Sequence, residues 1–162
     1  MSDDAPEQPG LVTVEAAPTA VIRAEVPAEE LPAFFDGAFQ RLPRTLAEQG
    51  IRPLSGAFGL YHRPPSATVD VDVDVEVGFV VDRAVRPDGD VAPGLLPGGQ
   101  VVRLVHAGGF DGLGSSWERL FAWVRERSLT PGEVFWEVYL TRPSPDMDPA
   151  ELRTELNLPV RD

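Results

Sequence analysis

Between Val69 and Val77 the chain alternates without a break. Val69, Val71, Val73, Val75 and Val77 fall on one side of an extended strand, and Asp70, Asp72, Asp74 and Glu76 on the other. A period of two fits a strand and not a helix, and it asks for a sheet with one face buried and one face wet, the habit of antiparallel sheets. The file of carboxylates could be read as a cation site. A straight strand spaces same-face residues by about 7 Å, however, whereas metal loops converge their oxygens through turns. A wetted face that also discourages edge pairing is the better reading.

The rest of the chain supplies partners for that strand. Residues 1–10 are acidic and rich in proline without any apolar period, which predicts a flexible lead-in, and the fold is expected to begin near Leu11. Leu11 to Ile22 reads as an opening strand broken at Pro18. Pro27-Ala28-Glu29-Glu30 then starts a helix whose stripe is Leu31, Phe35, Ala38, Phe39, Leu42 and Leu46, ending near Gly50, with Pro43 set to kink it or to close its first part. A short strand follows from Ala57 to His62, stopped by Pro64-Pro65, and the alternating strand extends to about Val81. Residues 82–99 are dense in proline and glycine and read as a long loop.

Beyond that loop the pattern restarts. Gln100 to Ala107 is a strand; Gly108 to Gly112 is a turn; Leu113, Trp117, Leu120, Phe121 and Val124 form a helical stripe ending near Leu129; Glu133 to Leu140 and Arg153 to Val160 are strands. Both halves therefore run strand, helix, strand, strand, and the run from Ala57 to Pro64 resembles the run from Val134 to Pro143. The sequence predicts an α+β fold of duplicated β-α-β-β units related by a pseudo-two-fold: repeat one at about 11–82, a linker at 83–98 and repeat two at 99–162. An antiparallel sheet would carry the helices, with a groove between the repeats.

Composition narrows what such a groove can do. There is no cysteine among 162 residues, which removes disulfides, thiolate metal sites and a cysteine nucleophile. With two histidines, His62 and His106, neither a histidine-rich metal centre nor a serine-histidine triad is expected. The net charge of −12 argues against direct binding of nucleic acid or anionic lipid. No segment approaches the ~20 apolar residues that span a bilayer, so a cytoplasmic protein is expected, with no metal and no cofactor. All 14 cations are arginine, a bias that reflects coding composition more than physics.

The strongest local signal is Phe135-Trp136-Glu137-Val138-Tyr139. On a pleated strand Phe135, Glu137 and Tyr139 share one face while Trp136, Val138 and Leu140 share the other. A carboxylate between two aromatics is costly to bury unless it has a partner, and a lipophilic cation is the partner that aromatic rings and one acid would suit. A Glu137 that faces water or pairs with an arginine remains open on spacing alone. Phe58 and Tyr61 are the counterparts in the first repeat and are candidate lining residues. Trp117 and Trp123 cannot share one narrow helical stripe; Trp117 is expected to be the packed one and Trp123 the looser, and either can line the groove. His106, at a strand end, reads as a packed histidine rather than a catalyst. The glycine-rich turn at residues 108–114 lacks the lysine and spacing of a phosphate loop and reads as a helix start.

The run Leu96 to Phe110, then Trp117, Leu120, Trp123 and Val124, then Trp136 to Leu140, then Leu152 to Leu156 before Pro159-Val160, resembles the GyrI-like small-molecule-binding family, the effector domain of AraC-type and multidrug-responsive regulators. The resemblance covers nearly the whole chain from Leu11. It implies a groove between the repeats in which the strand glutamate matching Glu137 contacts cationic drugs, with Tyr139 beside it. It also implies that some stand-alone members add water to strained cyclopropane-bearing compounds, with Glu137 as base or electrostatic group; chemically, the Tyr139 hydroxyl can steady the oxygen on which charge develops. The expected function is thus a stand-alone binding protein for bulky lipophilic, often cationic, drugs or dyes, monomeric or homodimeric, with hydrolysis as an open addition. The alternatives are an acidic inhibitor of a topoisomerase-like protein, with Asp70, Asp72, Asp74 and Glu76 as its contact surface, and a sensor acting through a separate regulator.

Overall fold

A computed structural model describes residues 8–62, 73–109, 112–132, 134–141 and 148–161. The expectations placed on Met1–Glu7, Pro64-Pro65, Val69–Asp72, Phe110-Asp111, Glu133 and the turn at 142–147 lie outside the described residues. The element order is β1 (Gly10–Val14), β2 (Ala17–Val26), α1 (Leu31–Gln49), β3 (Phe58–Tyr61), β4 (Val73–Val80), β5 (Ala92–Leu96), β6 (Gly99–Ala107), α2 (Leu113–Glu126), β7 (Thr130–Pro131), β8 (Phe135–Tyr139) and β9 (Arg153–Arg161), with short 3-10 turns at Ala28–Glu30 and Pro149–Glu151. The class is α+β: one antiparallel sheet in the order β1-β6-β9-β8-β3-β4-β2-β5, with β7 added to β9.

The sheet curls into a half-barrel because its two ends are tied together. β1 runs through Glu15 and Ala16 into β2, and β5 runs through Pro97 and Gly98 into β6. The pairing of β1 with β6 and of β2 with β5 keeps one register across that corner, Val14 opposite Gly99 and then Ala17 opposite Leu96. A Cβ on Gly98 would lie 2.6 Å from the Ala16 backbone nitrogen, so the corner needs glycine there. The opening strand thus breaks at Glu15-Ala16 and not at Pro18, which sits inside β2 and whose carbonyl accepts from Val81 N–H at 3.0 Å.

Alternation sorts side chains between the two faces. Phe58, Leu60 and Trp136 point into the curl, where Val21, Leu96 and Val101 bury them with Val12 and Val14 alongside. Both helices lie on the other face. α1 buries Ala38, Leu42 and Leu46 against Ala20, Ile22, Val75 and Val77, and α2 buries Trp117, Leu120 and Val124 against Val102, Leu104, Leu156 and Leu158. α1 continues through Pro43 as a single element, since packing along this stripe offsets the one hydrogen bond that proline removes.

The acidic side of the alternating strand is not simply wet. Asp74 accepts two bonds from Arg23, at 3.0 and 2.8 Å, and Glu76 lies 2.5 Å from His62 Nε2, all at the rim of the curl. Asp70 and Asp72 are outside the described residues. Among the described residues no cluster of three or more acids and histidines is placed to hold a metal ion, and no helix is long and apolar enough to cross a membrane.

Candidate functional site

The centre of the sheet is the pair β3 and β8, between the half that carries α1 and the half that carries α2. Their register sets Gly59 opposite Glu137 and Tyr61 opposite Phe135 on the helix face, with Phe58 opposite Val138 and Leu60 opposite Trp136 inside the curl. Phe58 is therefore not a lining residue: it is 1% exposed in the inner core. Phe58 and Tyr61 are three residues apart, and an odd spacing on a strand sends two side chains to opposite faces. Tyr61 lies on the helix face and packs against the cores under both helices.

Aromatic rings enclose this floor. Tyr61 stacks on Phe135 with centroids 5.2 Å apart and planes at 17°. From α2, Trp117 meets Phe135 edge-on at 4.7 Å, and Phe121 lies 5.8 Å from Trp117. From α1, Phe35 lies 6.4 Å from Tyr139 and begins a relay of edge contacts through Phe39 to Phe79. Phe35, Phe121 and Gly59 are the residues that sequence reasoning did not assign to the site. The two phenylalanines already stood on the helical stripes, but nothing in a stripe distinguishes a residue that fills the core from one packed at its margin.

Glu137 lies beneath the rings and is 7% exposed. Its Oε2 accepts from Trp117 Nε1 at 2.7 Å and its Oε1 from the Tyr139 hydroxyl at 3.1 Å. The Tyr139 and Tyr61 hydroxyls also interact with one another. Both donors to the carboxylate are neutral, and among the described residues no cation forms an ion pair with it. Burial pushes the Glu137 carboxyl above the usual carboxylate range, opposed by the Trp117 and Tyr139 bonds and by the charge of His106. Tyr139 is held well above the ordinary phenol value, first by burial and then by its neighbours Tyr61 and Glu137; Tyr61 is raised for the same leading reason. This chain of Tyr61, Tyr139, Glu137 and Trp117 can share protons and can meet a positive charge. Its residues are the four of the expected set that touch, and Phe135 is the ring between them.

Trp123 lies apart. It is partly buried on the flank of α2 with the Arg127 guanidinium 3.9 Å over its ring, and its role is cation–π packing along the helix. The packed tryptophan, Trp117, is the one that reaches the acid. His106 is 8% exposed and bonded to Ser116 and to the Gly109 carbonyl, as a structural histidine would be.

The model of the GyrI-like small molecule binding domain matches residues 7–161. The chain belongs to this family. Among solved structures, the C-terminal domain of EcmrR superposes with a TM-score of 0.82 at 19% identity, over 96% of this chain and 98% of that one. In a complex of intact EcmrR with DNA, the matched part is 57% of the EcmrR chain, so the present sequence spans a little over half of that regulator. A protein of Listeria innocua described as a hydrolase gives a TM-score of 0.66 at 14% identity, covering 98% of this chain and 94% of the other. SAV2435, solved bound to tetraphenylphosphonium, gives 0.62 at 14% identity over 95% and 94%. At these identities the likeness speaks for the fold alone. No curated protein matches the sequence.

Proposed function

We propose that this GyrI-like domain binds bulky lipophilic cations between its two helices, with Glu137 as the counter-charge and Phe35, Tyr61, Trp117, Phe121 and Tyr139 as the aromatic walls. The observation that carries this reading is a buried carboxylate whose two hydrogen-bond donors, Trp117 and Tyr139, are neutral and which forms no ion pair among the described residues. A charge taken out of water costs several kcal/mol, and about 1.5–3 kcal/mol from each charge-assisted hydrogen bond offsets only part of that. A guest cation with its charge spread over aromatic groups completes the balance without the steep dehydration of an ammonium, and ring faces add about 0.5–2 kcal/mol each. SAV2435, whose fold is shared, supports the choice of tetraphenylphosphonium as probe.

The strand order supports a duplicated origin for the groove. Outward from the β3–β8 seam the sheet reads β3-β4-β2 on one side and β8-β9-β6 on the other, with one helix in each half. Two copies of one unit about a pseudo-two-fold would leave their gap over that seam. A cytoplasmic site of action fits a chain without cysteine.

The deciding experiment is calorimetric titration with tetraphenylphosphonium of the wild type and of Glu137→Gln, which keeps the shape and removes the charge. Binding by the wild type that weakens about a hundredfold in the variant, about 2.7 kcal/mol, supports the reading. Equal binding by both removes Glu137 from it.

A second reading, hydrolysis of strained electrophiles, is favoured by the raised proton affinity of Glu137. The carboxylate takes a proton from water, the water oxygen bonds to a ring carbon, the breaking carbon–carbon bond leaves its electron pair on a conjugated oxygen that Tyr139 steadies, and the resulting enolate takes the proton back from Glu137. Product mass 18 units above that of a cyclopropane-bearing substrate, absent with Glu137→Gln, is the sign of it. The rival reading as an acidic topoisomerase inhibitor draws less support, because Asp74 and Glu76 are engaged by Arg23 and His62.

A further inference from the structure

His106 stands at the end of β6, two strands away from Glu137, and belongs to none of the aromatic walls. Its ring is nonetheless tied at both nitrogens. Nε2 lies 2.8 Å from the Gly109 carbonyl, which only accepts, so Nε2 carries a proton; Nδ1 lies 2.7 Å from the Ser116 hydroxyl, which can donate or accept there. The Gly109 carbonyl also takes the Gly112 N–H at 3.2 Å, so one oxygen gathers the histidine and the residue before the helix. The loop closes tightly on the ring, for a Cβ on Gly112 would lie 3.0 Å from His106 Cε1. Gly112 is the N-cap of α2 and makes no side-chain capping bond, so the start of this helix is held from below by His106.

What the first turn of α2 carries is decisive. Ser116, bonded to His106, directly precedes Trp117, and Trp117 Nε1 is the closer of the two donors to Glu137, 2.7 Å against 3.1 Å for Tyr139. Ser116 is 6% exposed and Trp117 5%, so neither side chain can swing into solvent to find another partner. A displacement of the helix start by half an ångström would be felt at once in the length of the indole bond, since hydrogen bonds weaken steeply outside about 2.7–3.2 Å. A site of this kind depends on the layer that supports the contacting residues as much as on those residues.

We propose that His106 is a positioning residue for Glu137, acting through Ser116 and Trp117 to fix the carboxylate where a guest cation meets it. The inference rests on the reading of Glu137 as the ligand's counter-charge, but its geometry can be examined without any ligand.

The indole N–H resonance of Trp117 in 15N–1H spectra of the full chain, identified by its loss in Trp117→Phe, reports the bond to the carboxylate directly. Ser116→Ala and His106→Gln are each expected to move that resonance upfield while those of Trp123 and Trp136 hold their places. The same variants should weaken tetraphenylphosphonium about tenfold, about 1.4 kcal/mol, and leave the uncharged triphenylphosphine oxide unaffected. In a Trp117→Phe background Ser116→Ala should add nothing further, as coupled residues do. An unmoved Trp117 resonance in both variants, a shift of all three indoles together, or full additivity with Trp117→Phe would overturn the positioning role. A wild type with the expected spectra that fails to bind the phosphonium would leave His106 in its place and remove the cation reading instead.

Discussion

β3 and β8 lie side by side beneath the same two helices, yet one carries a charge at its midpoint and the other carries no side chain at all. Gly59 and Glu137 are register partners, and Tyr61 and Tyr139 flank them on the same face. The glycine is what gives the acid its setting. A Cβ at residue 59 would lie 3.1 Å from the Tyr139 hydroxyl and 3.6 Å from Phe35 Cζ, so its absence is the space in which Tyr139 turns toward Glu137 and Phe35 closes over it. The two central strands thus differ at their facing midpoints, a carboxyl on one and open space on the other.

That contrast can be broken from either strand. The largest effect is expected from Glu137→Gln, with the hundredfold loss of cation affinity described above. Gly59→Ala comes next: the added methyl pushes on Tyr139 and Phe35, with a destabilisation of about 1–3 kcal/mol typical of overpacking, read from chemical denaturation, and about tenfold weaker phosphonium binding.

The pH dependence sharpens the comparison because, of the two register partners, only Glu137 can titrate. Glu137 holds its proton more tightly folded than unfolded, so its contribution to stability is present below the ordinary carboxylate range and fades as pH rises through its elevated value. The melting temperature of Glu137→Gln should therefore gain on the wild type as pH is raised from acid toward neutrality, and bound cation should cancel that gain. Cation affinity should climb over the same interval. A difference independent of pH would show that Glu137 is not strained by burial.

The smallest effect is expected at Thr154, beside Tyr139 in the ladder, whose hydroxyl is fully buried and without a hydrogen-bond partner among the described residues. Thr154→Val replaces that orphan with a methyl group of the same shape. It should be neutral or stabilising by about 1 kcal/mol in thermal melts, and a clear loss of stability would reveal a hidden partner.

How much of this was legible in the sequence depended on whether the signal was local. The valine alternation and the two helical stripes carried the layer arrangement, because one element's period shows which face it buries. The break between β1 and β2 was not visible: Pro18 looks like an interruption, but its nitrogen faces Val81 just past the end of β4, where the ladder loses a single donor. β5 was hidden inside a proline-rich loop, since Pro93 and Gly94 disguise a strand that pairs on one side only. Glu137 stood out by the cost of burying it. Its partner Trp117 did not, being 20 residues away on a helix, and no spacing rule joins a helix donor to a strand acceptor.

The corner where β1 bends into β2 and β5 into β6 bears on how this protein behaves in a crowd. A curled sheet of this length would ordinarily offer two long raw edges to any passing chain in need of a strand. Here each edge is a ribbon of five residues folded back across the other end of the same sheet, so little unpaired backbone remains for a stranger to zip onto. Association by strand addition is thereby discouraged at both ends of the sheet.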